Sequence, residues 1–161
     1  DWAARETNDR VQNLLPEGIV DRLTRMVLTN AVYFKGEWAE RFDPKRTRQY
    51  PFTRADGTKV DVPMMSREGG FRRYFDEPPA GGTWDNRLQV AELPYRGGDA
   101  AMVVVVPGTF DGLPAVEKTI TPETVAGWLA KADDATETGL LLPKFRLETE
   151  YDLIPPLKAL G

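Results

Sequence analysis

The stretch from Met26 to Phe34 constrains the fold of this chain more than any other segment. Its apolar residues fall at both odd and even positions, whereas a half-exposed strand would alternate apolar with polar side chains. The pattern therefore predicts a strand that is covered on both faces. Asn30 lies in the middle of this strand, and a buried carboxamide without hydrogen-bond partners costs about 1 to 3 kcal/mol. The sequence thus predicts a specific partner for Asn30.

The composition is that of an ordinary globular chain. Its 161 residues, of which 41% are hydrophobic and 29% charged, predict about one domain. A net charge of -4 argues against a nucleic-acid partner, because nucleic-acid-binding domains usually present a dense basic face. No apolar run approaches the roughly 18 residues that a membrane-spanning helix needs, so we expect no membrane partner.

Missing residue types argue against most enzyme chemistry. The chain has no His and no Cys, so it can supply neither a serine–histidine pair nor a thiolate or imidazole metal site. Glu148 and Glu150 share one strand face, as paired catalytic carboxylates would, but a solvated face is the favoured interpretation. The adjacent acids Asp133 and Asp134 could form a loose calcium site, although surface solvation is the default. We therefore expect no enzymatic activity, no cofactor and no metal.

Periodicity and turn residues predict the main elements. A short amphipathic helix is expected within residues 1–15, followed by the 26–34 strand. Thr47 to Thr53 should pair with Lys59 to Met65 in a hairpin, because the intervening Asp56-Gly57 is a strong turn signal. A three-stranded antiparallel meander should follow, formed by Phe71 to Asp76, Leu88 to Leu93 and Ala100 to Val106. Because Ala101 to Val106 is apolar at every position, it is predicted to be a central strand.

The last third of the chain predicts two helices and a strand pair. Thr121 can cap a helix that extends to about Lys131, with Pro122 at its first position. Residues 140–149 are predicted to form strands that Pro143 interrupts, and residues 151–160 are predicted to form a final helix.

The order and spacing of seven motifs resemble those of the serpins. These motifs are LTRMVLTNAVYFKGEW, ADGTKVDVPMM, VAELPYRGG, MVVVVPG, TPETVAGWL, LLPKFRLETEYDL and LKALG, and together they cover essentially the whole chain. The resemblance implies an α+β multi-sheet serpin fold, present here in part, with mixed β-sheets and flanking helices. It also implies that N-terminal helices, the reactive centre loop and the C-terminal core strands are absent, so that the remainder of the serpin chain is needed to complete the fold.

The resemblance assigns the strands to sheets. Met26 to Phe34 corresponds to strand 3 of the main serpin sheet, and Lys144 to Thr149 to strand 6 of that sheet. The meander corresponds to the second sheet, while the hairpin and Thr138 to Leu142 belong to the third. In the family a cleaved reactive loop inserts beside strand 3, which here would present Met26, Leu28, Asn30, Val32 and Phe34.

The resemblance also assigns site residues. Asn30 matches the shutter asparagine, whose implied partners lie outside this chain. Gly36 and Trp38 match residues of the breach, where the loop begins to insert, and Lys144 matches a lysine that pairs with a glutamate of the loop hinge. Judged alone, Trp38 would be a core aromatic and Lys144 a lysine that extends from a strand end to solvent. A further hypothesis is a polyanion contact that forms if the strands of these residues adjoin, namely Lys45, Arg46, Arg48, Arg72 and Arg73.

By this resemblance the parent protein is a suicide-substrate inhibitor of serine or cysteine proteases. Its partner is a target protease that cleaves the reactive loop and becomes trapped as an acyl-enzyme. The alternative is a non-inhibitory serpin that acts as a carrier or chaperone. The resemblance implies an extracellular location and leaves an intracellular one open.

Overall fold

A computed structural model describes residues 2–15, 17–77, 81, 87–134, 138–146, 151 and 153–160. They form two compact units, Asp1–Glu37 and Trp38–Gly161. Within these described ranges, no helix combines the length and the apolar character that crossing a membrane requires.

The first unit begins with a short helix, α1 (Trp2–Glu6). Its end is fixed by Thr7, whose hydroxyl donates to the Ala3 carbonyl at 2.6 Å and accepts from the Val11 amide at 3.0 Å. Asn8 and Asp9 follow with φ angles of 50° and 59°, a left-handed conformation that a right-handed helix cannot continue. The short helix therefore occupies only the first part of the predicted 1–15 range.

Residues 26–34 do not form the predicted strand. They belong to no strand in the described part of the chain, and Met26, Leu28 and Val32 are 75%, 77% and 80% exposed. A strand requires a hydrogen-bonded neighbour, and covered faces require packed elements, neither of which the apolar pattern of one segment can supply. Asn30 is likewise exposed and makes no hydrogen bond to the described residues. The expectation of a doubly covered strand is wrong for this structure.

The second unit contains most of the regular structure. After a 3-10 turn at Pro44–Arg46, its elements are β1 (Arg48–Thr53), β2 (Lys59–Glu68), β3 (Arg72–Phe75), β4 (Gln89–Pro94), β5 (Ala101–Val106), α2 (Leu113–Glu117), α3 (Pro122–Ala130), β6 (Asp133–Asp134), β7 (Gly139–Pro143) and α4 (Ile154–Leu160).

The predicted hairpin is confirmed. Strands β1 and β2 pair antiparallel, and β7 pairs with the other side of β2, so that the order among the described strands is β1-β2-β7. The connecting turn has Gly57 at a φ of 80°, and the Asp56 carboxylate accepts from the Thr58 amide at 2.9 Å. All six residues of β1 are exposed, and Pro51 lies within this edge strand.

The meander is also confirmed, but the position predicted for one of its strands is wrong. The four-stranded antiparallel sheet has the order β5-β4-β3-β6, with the two-residue strand β6 unpredicted. Among the described strands, the all-apolar β5 lies at an edge, which corrects its prediction as central. An apolar run indicates that both faces of a strand favour cover, whereas its position in a sheet depends on backbone neighbours that side chains do not specify.

Helix α3 begins as predicted. The Thr121 hydroxyl accepts from the Thr124 amide at 3.1 Å, and Pro122 occupies the first turn. The helix ends against β3, because the Arg72 guanidinium donates to the carbonyls of Leu129 and Ala132 at 2.9 and 2.8 Å. Helix α2 was not predicted, and α4 begins at Ile154 although Pro155 and Pro156 follow.

One apolar cluster joins the two sheets. Its buried members are Phe42, Phe71, Leu93 and Leu142, where Leu93 comes from β4 and Leu142 from β7. Partly buried residues pack around them, namely Trp38, Met65, Ala91, Met102, Val104 and Leu140. Phe42, from the segment before β1, thereby packs against residues of both sheets.

Candidate functional site

Trp38, the predicted breach tryptophan, is docked at the end of β4. Its ring stacks on the Tyr95 ring with centroids 4.7 Å apart and 11° between their planes. The backbone of Trp38 forms an isolated antiparallel bridge with Tyr95, and the Ala39 amide donates to the Pro94 carbonyl at 2.9 Å. Burial raises the pKa of the Tyr95 phenol. Trp38 is thus fixed by backbone and ring contacts together.

Phe42 connects Trp38 to the apolar cluster. The two rings meet edge to face with centroids 6.1 Å apart, which is a favourable aromatic geometry. Because Phe42 is buried among Phe71, Leu93 and Leu142, movement of the Trp38 side chain would disturb the packing between the sheets.

Lys144 follows β7 directly. Its amide donates to the Pro63 carbonyl at 2.8 Å, which extends the pairing of β7 with β2 by one residue, and its side chain is exposed. Residues 144–146 are not in a strand, since no described strand lies beside them. The rest of the predicted 144–149 strand, and the Glu148 and Glu150 pair, lie outside the described residues. The described part of that strand prediction is therefore wrong.

Asn30 and Gly36 belong to the first unit, and both are exposed. Trp38 and Lys144 belong to the second unit. The assignment of Asn30 to a shutter and of Gly36 to the breach stays a prediction.

The proposed basic cluster does not form as expected. Arg48 lies in β1, whereas Arg72 and Arg73 lie in β3, and these strands belong to different sheets. Protein atoms also engage the guanidinium groups: Arg48 donates to the Thr47 carbonyl at 3.0 Å, Arg72 pairs with Glu92, and Arg73 donates to Thr138. The condition that the two strands adjoin is not met, because the hairpin and the meander fold into separate sheets.

Sequence reasoning missed Arg67, which lies close to Phe42. Arg67 is 5% exposed and donates to the backbone carbonyls of Glu40 and Gly70. It lies two residues after Met65 in β2, on the same strand face, and Met65 packs on the apolar cluster. Arg67 lies two residues beyond the predicted strand from Lys59 to Met65, so its alternation with Met65 was the only signal that the sequence offered.

The described residues offer no metal centre. Among them, no three acidic side chains come close enough together to hold an ion. Asp133 and Asp134 therefore belong to no such group. A pocket of about 350 Å³ lies beside β3 and β6, lined by Arg73, Tyr74, Phe75, Lys131, Asp133 and Asp134. It contains none of the predicted breach residues.

Comparison with known proteins identifies a family and several relatives. The family model for serpins, described as serine protease inhibitors, matches residues 1–161. Antithrombin-III of Mus musculus is 39% identical over 162 residues, which cover 99% of this chain and 32% of that protein. Plasminogen activator inhibitor 1 of Bos taurus is 38% identical over 162 residues, which cover 100% of this chain and 39% of that protein. The chain thus spans 32% to 39% of the length of these two relatives.

Solved structures agree with the sequence relatives. The chain is similar to native protease nexin-1 with heparin, with a TM-score of 0.86 and 36% identity over 99% of this chain and 42% of that one. It is also similar to ovalbumin from the emu, Dromaius novaehollandiae, with a TM-score of 0.84 and 33% identity over 99% of this chain and 40% of that one. The chain therefore belongs to the serpin family, and its antiparallel β-sheets with flanking helices are part of the serpin fold.

Proposed function

We propose that the full natural polypeptide containing this chain inhibits serine or cysteine proteases as a suicide substrate. The target's nucleophile attacks the scissile peptide bond of a reactive loop, and the acyl-enzyme forms as the amine leaves. The cleaved loop then inserts as a strand beside residues 26–34, and the protease stays covalently attached. Segments beyond the 161 residues supply the loop and complete the sheet.

The observation that best supports this proposal is the exposed apolar character of residues 26–34. The large apolar side chains of Met26, Leu28 and Val32 are each exposed by 75% or more, and they lie close together in sequence. Exposed apolar surface of this kind marks a site that another element covers. An extended peptide that adds as a strand beside this segment supplies a backbone partner, and its side chains cover part of the apolar surface.

Trp38 gives the inserting strand a fixed starting point. It begins the second unit, and its backbone bridge and ring stack hold it on Tyr95. We propose that Gly36, Trp38 and Lys144 form the breach and that Asn30 forms the shutter.

The experiment mixes the full natural polypeptide with trypsin-like, chymotrypsin-like, subtilisin-like and papain-like proteases. A covalent complex that survives denaturing electrophoresis is expected with at least one of them and not with the same protease after its nucleophile is blocked. Absence of a complex with every protease would overturn the proposal. Cleavage without a complex, and without a gain in thermal stability, would support the carrier or chaperone alternative.

A substitution on the insertion face sharpens the test. In Val32→Glu an inserting loop would cover a carboxylate, which costs more than ~1.4 kcal/mol, so complex formation should fall about tenfold or more relative to cleavage. Leu23→Glu is the matched control, because Leu23 is 77% exposed and lies outside the 26–34 segment. Equal complex formation by both variants would contradict insertion at this segment.

We also propose an extracellular location, which rests on the family resemblance alone. Recovery of the native protein only from inside cells would overturn it.

A further inference from the structure

Arg67 is a buried cation held without a carboxylate. It is 5% exposed, and no carboxylate of the described residues lies within 4.0 Å of it. One terminal nitrogen donates to the Glu40 carbonyl and the other to the Gly70 carbonyl at 2.6 Å. Its guanidinium carbon lies 5.1 Å from the centroid of the Phe42 ring and 5.7 Å from that of the Phe71 ring.

This environment is a costly one for a positive charge. Burial lowers the pKa of the guanidinium. The negative charge of the Glu40 carboxylate, which forms no ion pair with Arg67, opposes that shift. The Nε atom is buried and finds no hydrogen-bond partner among the described residues. An apolar side chain of similar volume would fill the space without these penalties. What arginine adds is a rigid fork that reaches two carbonyls at once.

The two carbonyls belong to segments in direct contact. A Cβ atom added to Gly70 would lie 2.5 Å from Glu40 Cγ and 2.9 Å from Glu40 Cβ. The turn between β2 and β3 therefore lies against the segment that leads from Trp38 to Phe42. Arg67 joins these two segments to its own strand, β2.

The contacts continue from Arg67 to the breach tryptophan. The guanidinium lies over Phe42, the Phe42 ring meets Trp38 edge to face at 6.1 Å, and Trp38 stacks on Tyr95. We propose that Arg67 is a positioning residue that fixes residues 38–42 and thereby holds the Trp38 ring where the loop begins to insert. Its effect on inhibition rests on the proposed function, whereas its effect on Trp38 does not.

A residue that only fills the core would behave differently. Methionine has no charge, but it occupies the space of the arginine stem and packs flexibly. If Arg67 is a filler, Arg67→Met leaves Trp38 and the rate of inhibition unchanged. If Arg67 is a positioning residue, Arg67→Met folds but releases residues 38–42.

The experiment compares Arg67→Met, Arg67→Lys and Arg46→Met in the full natural polypeptide labelled with fluorotryptophan. The fluorine resonance of Trp38 is assigned by its loss in Trp38→Phe. We expect this resonance to shift or broaden in an Arg67→Met protein that still unfolds cooperatively. Arg46→Met should not move it, because the Arg46–Glu68 pair is exposed. Arg67→Lys should show an intermediate effect, since an ammonium cannot span both carbonyls as a fork.

Inhibition kinetics provide the second measurement. We expect the rate of complex formation, or its ratio to cleavage, to change about fivefold in Arg67→Met, equivalent to ~1 kcal/mol. A Trp38 resonance that shifts in Arg67→Met, combined with a wild-type protein that inhibits no protease, would support the positioning role and refute the proposed function. An unshifted resonance in every Arg67 variant that folds would overturn the positioning role. If neither variant folds, Arg67 is a folding residue and the role is also overturned.

Discussion

Trp38 and Tyr95 stack face to face, with ring centroids 4.7 Å apart and 11° between the ring planes. The backbones of the same two residues form a bridge, so the stack connects the start of the second unit to the end of β4. Stacked aromatic pairs contribute about 0.5 to 1.5 kcal/mol beyond the area that they bury.

The first prediction follows from that stack. Tyr95→Leu should lower the free energy of unfolding by about 1 kcal/mol or more, because it removes the ring that Trp38 contacts. Tyr95→Phe is the matched control, because it keeps the ring. Urea denaturation of both variants in the full natural polypeptide measures the difference. A double-mutant cycle with Trp38→Leu that gave no coupling would contradict a stabilising stack.

The second prediction concerns alkaline pH. Burial raises the pKa of Tyr95 above that of the unfolded chain, so the folded state keeps its phenolic proton longer. The stability that depends on this proton is complete below the unfolded pKa, near 10, and is lost as the pH rises through the folded pKa. Tyr95→Phe should weaken this alkaline loss, measured by urea denaturation over a pH series. An unchanged pH dependence would contradict the assignment.

The ionisation of Tyr74 must be distinguished from that of Tyr95, and a phenolate absorbance titration does so. Burial is also the largest cause of the raised pKa of Tyr74, followed by its contact with Asp76. Tyr74→Phe should remove a different late component of the phenolate absorbance titration, which identifies each tyrosine.

The third prediction compares two arginines. Arg72 pairs with Glu92 at 2.8 Å and also donates to two carbonyls at the end of α3, whereas among the described residues the Arg46 side chain pairs with the exposed Glu68 alone. Arg72→Met should destabilise the protein by about 1 to 2 kcal/mol, because it leaves several partly buried polar groups without partners. Arg46→Met should cost less than about 1 kcal/mol. Equal losses in chemical denaturation would show that the helix contacts of Arg72 are unimportant.

The fourth prediction tests the close approach at Gly70. Gly70→Ala should destabilise by more than Gly98→Ala, although both glycines have left-handed backbones with φ of 67° and 81°. Each alanine carries a conformational cost of about 1 to 2 kcal/mol. Only the one at residue 70 also collides with Glu40, at an additional cost of about 1 to 3 kcal/mol. Similar melting temperatures for the two variants would contradict the contact.

The sequence predicted those elements that local signals specify. The hairpin depends on Asp56-Gly57, and helix α3 on Thr121 and Pro122, so both were found close to their observed limits. Neighbour relations were harder. The valines of β5 indicated a central strand, yet this strand has one described neighbour, because the apolar pattern does not encode which backbone lies alongside.

The candidate site shows the same division. The resemblance assigned Trp38 to the breach, and the structure shows what anchors that residue. Tyr95 and Arg67 could not be assigned to this site from the sequence, since they reach Trp38 and Phe42 only through contacts between distant segments. In the sequence Gly70 is only the second of two adjacent glycines, although its lack of a side chain is what admits Glu40.

The proline in β1 has a consequence for the protein at high concentration. Pro51 has no N–H group, so the exposed edge that contains it lacks one hydrogen-bond donor in the middle of the strand. Arg48, at the start of the same strand, places a positive charge on every copy, and like charges oppose the alignment of two identical edges. This edge is therefore a poor template for chain-to-chain association, and crowded solutions of the protein should not form fibres through it.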